Sequence, residues 1–133
     1  MSVFSGADLY SVYWLAQNGR IADLSNFVMF VATPGQSASA DDDTLYAMTI
    51  SNPVQFNNVV SSLGVVPDLI DQDYGRKGIN PNVSTELNEK RLAEIIKERK
   101  YGFSLYRGNR NDLTEWTRIK IKSNGAIREN NCN

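Results

Sequence analysis

A single uninterrupted apolar run, residues 27–33, constrains the fold of this chain more than any other segment. It reads Phe-Val-Met-Phe-Val-Ala-Thr, and Pro34 and Gly35 follow it directly. Branched and aromatic residues without alternating polar positions are typical of a strand buried on both faces. We therefore predict a central strand over residues 27–33, in a sheet that is covered on both sides.

The rest of the chain alternates helical and strand patterns. Residues 64–84 contain three Gly and two Pro and are predicted to be a long irregular stretch. The other predicted elements, in order, are a short strand over 2–5, a helix over 8–17 capped by Asp8, a strand over 44–50, a short helix over 54–63, a helix that begins at Ser84 or Thr85, a strand over 103–107 and a strand over 116–122 with one wet face.

The segment Ser-Asn-Gly at 123–125 predicts a hairpin, and its loop length sets the register. A two-residue loop would put Ile127 on the solvent-exposed face of the strand. A three-residue loop, with Gly125 in the left-handed backbone conformation, pairs Ile121 with Ile127 instead. We favour the three-residue loop. Residues 128–133 are polar, and we expect them to form a flexible tail.

The length of 133 residues, 41% of them hydrophobic, fits a single domain spanning 1–133. The longest apolar stretch is far shorter than the roughly 20 residues of a membrane span. Cys132 is the only cysteine, so an intramolecular disulfide is excluded. We predict one α+β domain in the cytoplasm, or delivered into a host cytoplasm.

The chain has no histidine. Activation of a Ser or Cys nucleophile by histidine is therefore excluded, and one cysteine is the only soft metal ligand. We predict no metal site, and any chemistry must use Asp, Glu, Lys, Arg, Tyr or Ser.

Charge is divided unevenly along the sequence. Residues 1–74 carry one base, Arg20, and a net charge of −7, whereas residues 75–133 carry a net charge of +6. The division permits an anion-binding face on the C-terminal half. Alternatively, the two halves pack together and their charges mostly neutralise each other.

The order of these elements resembles the ADP-ribosyltransferase superfamily, in particular its small phage-encoded and effector-type members. The resemblance implies an α+β fold with a split, mostly antiparallel sheet and flanking helices. It also implies that NAD is the cofactor and that ADP-ribose is transferred to a protein target. The segments that carry it are Val3–Gly6, Leu9–Ile21 with Asn18, Gly19 and Arg20, the run 27–33, Leu45–Ile50 and Tyr101–Ile121.

Particular site residues follow from this resemblance. Glu115 is the positional match for the carboxylate that stabilises the charge developing as the bond to nicotinamide breaks, and Asp112 is the second match. An exposed carboxylate paired with Lys or Arg is the alternative interpretation of Glu115. A first-strand His or Arg of the family is replaced here, so an inactive homologue is left open. The expected NAD contacts are Ser5, Gly6, Arg20, Thr33 and Tyr46.

Two other functions fit the sequence. Basic residues interleaved with aromatic ones over 97–122 favour nucleic-acid binding or histidine-free RNA cleavage, although the pI is near 5.4. A small inhibitor or immunity-type protein could instead dock through the acidic N-terminal half. The expected nucleic-acid contacts are Arg107, Arg110, Arg118, Lys120 and Lys122.

Overall fold

The computed structural model describes residues 3–34, 43–62, 64 and 66–132. Its strands pair in one antiparallel sheet whose spatial order follows the chain. The strands are β1 (Val28–Thr33), β2 (Thr44–Ile50), β3 (Phe103–Asn109), β4 (Asp112–Ile121) and β5 (Ile127–Asn131), and the helices are α1 (Gly6–Gln17), α2 (Pro53–Val60), α3 (Val66–Lys77) and α4 (Thr85–Glu98). The predicted α+β class with an antiparallel sheet is confirmed. The sheet is continuous, whereas the resemblance implies one in two halves.

The helices pack on one face of the sheet, which we call the inner face. Met48, Leu105 and Ile119 lie side by side in register on β2, β3 and β4, and all three are buried. Alternation along each strand therefore sends one set of side chains to the helices and the other set away from them. The buried core includes Phe4, Ile50, Phe103, Leu105 and Ile119, whereas Leu45 and Ile121 are partly exposed.

Aromatic side chains link the helices to the inner face. The ring of Tyr13 on α1 stacks on Phe56 of α2, with 4.8 Å between centroids, and contacts Phe103 of β3. Its hydroxyl donates a 2.8 Å hydrogen bond to the carbonyl of Tyr101. The buried hydroxyl therefore has a partner, as a buried polar group requires.

Helix α1 begins earlier than predicted. Ser5 caps it, because its hydroxyl accepts from the Asp8 amide while the Asp8 carboxylate accepts from the Ser5 amide, a capping box. Asp8 therefore belongs to the first turn. The short strand predicted over 2–5 is also wrong for residues 3–5, since Val3 and Phe4 are buried in the core without pairing to a strand.

Strand β1 lies where the apolar run predicts a strand, but it is an edge strand. It pairs with β2 alone among the described strands. The side chain of Phe30 is 60% exposed and that of Val28 is also exposed, so the prediction of a central, doubly covered strand was wrong. An apolar run does not distinguish burial on both faces from burial on one face with an exposed apolar surface on the other.

The stretch 64–84, predicted to be irregular, contains helix α3. Pro67 falls in the first turn, where an amide hydrogen would have no carbonyl partner within the helix. Gly78, with φ of +70°, follows the last helical residue. Gly75 is tolerated within the helix. Among the described residues, no helix has the length and apolarity to cross a membrane.

The hairpin between β4 and β5 has the predicted register. Ile121 pairs with Ile127, and Gly125 is left-handed with φ of +81°. Residues 128–131 continue this pairing as part of β5, so the prediction of a flexible tail was wrong for them. Pairing with β4 holds residues 128–131 in the sheet, although their polar composition is typical of a flexible tail.

We expect Gly102→Ala to destabilise the protein by about 2–5 kcal/mol. Gly102 has φ of +86°, and a Cβ there would lie 2.7 Å from backbone atoms of Asn52 and Phe56. The left-handed backbone costs about 1–2 kcal/mol and the overpacking about 1–3 kcal/mol. Urea unfolding measures the loss.

The matched control is Gly125→Ala. Gly125 is also left-handed, but a Cβ at this position would have no neighbouring atom within 4 Å. Its cost should be about 1–2 kcal/mol, from backbone strain alone. Equal losses at the two positions would contradict the close approach of α2 to the start of β3.

Candidate nucleic-acid interface

The side of the sheet opposite the helices, which we call the outer face, is not covered by any described helix. Antiparallel sheets commonly leave one face in water, but such faces are then mostly polar. This one carries a mixture of aromatic, small and cationic side chains. By the strand registers it consists of Val28, Phe30, Ala32, Leu45, Ala47, Thr49, Ser104, Tyr106, Gly108, Trp116, Arg118, Lys120, Arg128 and Asn130.

Two aromatic rings meet across the outer face. Trp116 of β4 and Phe30 of β1 have ring centroids 5.7 Å apart, although two strands lie between them. Gly108 makes this possible, because a Cβ there would lie 3.1 Å from the indole. The indole nitrogen of Trp116 donates to the carbonyl of Leu113 at 3.0 Å. The indole is therefore held flat on the sheet, beside an exposed phenyl ring.

Arg118 is held on the same face. Its guanidinium donates a 2.6 Å hydrogen bond to the hydroxyl of Ser104, and Tyr106 is its cross-strand partner on β3. Arg118 forms no ion pair with a carboxylate of the described residues. The charge of Arg118 is thus fixed in position and not neutralised.

Cations on the outer face are not balanced by acids. Arg118, Lys120 and Arg128 lie on adjacent strands, and the set that defines this face contains no Asp or Glu. The whole chain carries a net charge of −1. The local charge therefore has the opposite sign to the charge of the chain, which favours an anionic partner at this face.

The predicted catalytic carboxylates lie at the end of the β3–β4 hairpin. Glu115 is exposed and accepts a 2.7 Å hydrogen bond from the side chain of Asn109. Asp112 accepts from the amide and hydroxyl of Thr114, and these hydrogen bonds lower its pKa. Both carboxylates have local hydrogen-bonding roles in the turn.

The predicted NAD contacts are spread over the fold. Ser5 and Gly6 begin α1, where Gly6 lies against Ile70 of α3. Thr33 is buried at the end of β1, and Arg20 is exposed in the loop after α1. Tyr46 is fully buried on the inner face. None of them lines the cavity between β3 and β4, the one beside Lys77 or the one beside Trp14, and the NAD site remains a prediction.

Of the predicted nucleic-acid contacts, Arg118 and Lys120 are on the outer face. Arg110 and Lys122 are exposed just beyond the ends of β3 and β4. Arg107 is on the inner face, where it is ion-paired, so it is not available to a ligand on the outer face. Phe30 and Arg128 were missed, because their side of the sheet follows only from strand registers that the sequence does not give.

Arg107 belongs to a buried hydrogen-bonded network beneath the sheet. Glu89 of α4, only 1% exposed, accepts from the hydroxyl of Tyr46 at 2.6 Å and from Arg107 at 2.7 Å. Arg107 also donates to Glu129 at 3.0 Å. Burial raises the pKa of Glu89 above its ordinary value, against the hydrogen bond from Tyr46 and the charge of Arg107, which lower it.

No protein-family model, curated protein or solved structure matches this chain. The resemblance to ADP-ribosyltransferases therefore stays a prediction from the sequence, and the outer face must be interpreted from its own chemistry.

We expect Tyr46→Phe to destabilise the protein by about 1.5–3 kcal/mol at neutral pH, because it removes a hydrogen bond to a buried carboxylate. The destabilisation by Tyr46→Phe should become smaller as the pH is lowered. The folded pKa of Glu89 is raised above its unfolded value, so the stability that Glu89 contributes is present below the unfolded pKa and is lost as pH rises through the folded pKa. Removing the Tyr46 hydroxyl raises that pKa further and enlarges the loss.

Urea unfolding of wild type and variant from acid to neutral pH measures this difference. Tyr10→Phe, at a partly buried tyrosine of α1, is the control for loss of a hydroxyl. A destabilisation by Tyr46→Phe that is the same at every pH would contradict the coupling to Glu89.

Proposed function

We propose that the outer face binds single-stranded nucleic acid. Bases would stack on Phe30, Tyr106 and Trp116, and Arg118 with its neighbouring cations would hold the phosphates. One observation carries the proposal: three aromatic rings share one uncovered sheet face with unneutralised cations, and this face has no carboxylate. Phe30 is 60% exposed, and Tyr106 and Trp116 are partly exposed. Stacking platforms combined with positive charge are the general means of binding single strands.

A single strand fits this face better than a duplex. Aromatic side chains can stack only on bases whose faces are free, and the bases of a duplex are already stacked on each other. The rings of Phe30 and Trp116 lie on a sheet surface, with no described helix or ribbon projecting from it to enter a groove. The face therefore suits unpaired bases laid across it.

Binding is better supported than cleavage. A histidine-free nuclease needs a general base placed to accept a proton from the attacking group, and a carboxylate is the side chain that is ordinarily ionised for this role at neutral pH. Carboxylates Asp112 and Glu115 lie at the hairpin end, bonded to Thr114 and Asn109. The outer face offers stacking and positive charge, which bind a strand without reacting with it.

We expect Trp116→Ala to weaken binding of a short single-stranded oligonucleotide by about 5- to 150-fold, because one stacked base contributes about 1–3 kcal/mol. Phe30→Ala should have a similar effect. Fluorescence anisotropy with a labelled oligonucleotide measures both. Trp14→Ala is the matched control, since Trp14 is 47% exposed but lies on α1, in the helical layer. Equal losses for Trp14→Ala and Trp116→Ala would contradict the outer face as the site.

Affinity should also fall with salt. Three phosphate contacts predict a slope of about −2 for log K against log salt on a single strand. Arg128→Gln should reduce the size of that slope by about 0.7 and weaken all sequences alike. Lys90→Gln, which removes a cation from α4, is the control. A slope that Arg128→Gln leaves unchanged would contradict a phosphate contact there.

A further inference from the structure

A cleft opens where β3 and β4 separate. Their pairing begins at Leu105 and Ile119, and the residues before Leu105 and after Ile119 are not paired across the two strands. The cleft between them has a volume of about 220 Å³. Ala93 and Ile96 of α4 line it from the helical layer. It therefore reaches from the sheet to the helical layer, where side chains of α4 line it.

The polar groups that line the cleft are cationic or neutral. Lys97, Arg118 and Lys120 supply positive charge, and Ser51 and Ser104 supply hydroxyls. No carboxylate is among the described residues that line it. Three cations without a balancing acid give the cleft a strong preference for an anion.

Arg118 is oriented for such a ligand. One terminal nitrogen of its guanidinium donates to Ser104 at 2.6 Å, which fixes the group at the cleft. Its Nε is buried and meets no acceptor among the described residues. A buried donor without an acceptor is costly, and an oxyanion in the cleft would satisfy it.

Lys97 approaches from the other side. Its ammonium group donates to the carbonyls of Ile121 and Lys122, at 3.3 and 3.2 Å. These hydrogen bonds link α4 to the end of β4. An anion in the cleft would thus lie between Lys97 of the helix and the two cations of the sheet. Two opposed positive groups suit a ligand oxygen cluster with more than one negative charge.

We propose that the cleft binds a phosphomonoester, the terminal phosphate of the single strand that crosses the outer face. This inference rests on the proposed function, because Arg118 and Lys120 belong to both the face and the cleft. The volume of about 220 Å³ is large enough for a phosphate group.

A terminal phosphate fits better than an internal one. An internal phosphodiester carries one negative charge, and its chain must continue on both sides, whereas α4 lines the cleft on its helical side. A phosphomonoester carries up to two charges and can enter end-on. The number of cations and the helix along one side of the cleft both favour the terminal group.

The test is a competition assay against a labelled oligonucleotide on the wild-type protein. The competitors are one short sequence made with a 5′-phosphate, with a 3′-phosphate or with two hydroxyl ends. One phosphorylated form should bind at least about tenfold more tightly than the hydroxyl form, as expected for charge-assisted hydrogen bonds. Lys97→Gln and Ser104→Ala should bring that ratio close to one, whereas Arg128→Gln should weaken both forms and preserve the ratio.

Equal affinities of all three forms for the wild type would overturn the end-recognition site and leave binding on the outer face intact. If no oligonucleotide binds, the proposed function fails. Titration with a nucleoside monophosphate then tests whether the cleft binds a phosphate group. Shifts of the Ser104 and Lys120 amide resonances would support the phosphate site, and their absence would overturn it. If inorganic phosphate produces these shifts and binds with the same affinity as the phosphorylated oligonucleotide, recognition of a strand end would be overturned.

Discussion

Burial of the inner face beneath the helices is the interaction on which the rest of this structure depends. Met48, Leu105 and Ile119 form a continuous apolar row on β2 to β4, and Leu92 and Ile95 of α4 are buried in the same core. Because every described helix packs on that side, the other side of the sheet is left to solvent. The site proposed here is a consequence of this one-sided arrangement.

The same arrangement divides the charge of the chain. Cations on the inner side meet buried carboxylates: Arg99 is bidentate to Asp73, which is 1% exposed, and Arg107 reaches Glu89. The hydrogen bond from Arg99 lowers the pKa of Asp73, which is therefore charged at neutral pH. The Arg99–Asp73 pair neutralises charge between the two halves of the chain, whereas Arg107 and Glu89 both belong to the C-terminal half. Arg118, Lys120 and Arg128 of the outer face form no ion pair with a carboxylate of the described residues.

Sequence patterns predict elements better than they predict the environment of each element. Alternation over β4 correctly assigns one face to Trp116, Arg118 and Lys120, since a strand has a fixed period of two. The hairpin register follows from Ile121 and Ile127 for the same reason. The edge position of β1 could not be predicted, because strand order depends on pairings between segments far apart in the chain. Arg107 was assigned to the ligand side because the pairing of Tyr46 with Arg107 is likewise not visible in the sequence.

The central claim is that the outer face, with its aromatic rings and unneutralised cations, is a surface for single-stranded nucleic acid. Chemical-shift mapping of the labelled protein with an unphosphorylated single-stranded oligonucleotide tests it most directly. We expect the largest shifts at the indole N–H of Trp116 and at the amides of Phe30, Tyr106 and Arg118, with the amides of α1 unchanged. Shifts confined to the helical layer, or no shifts at low salt, would contradict the account.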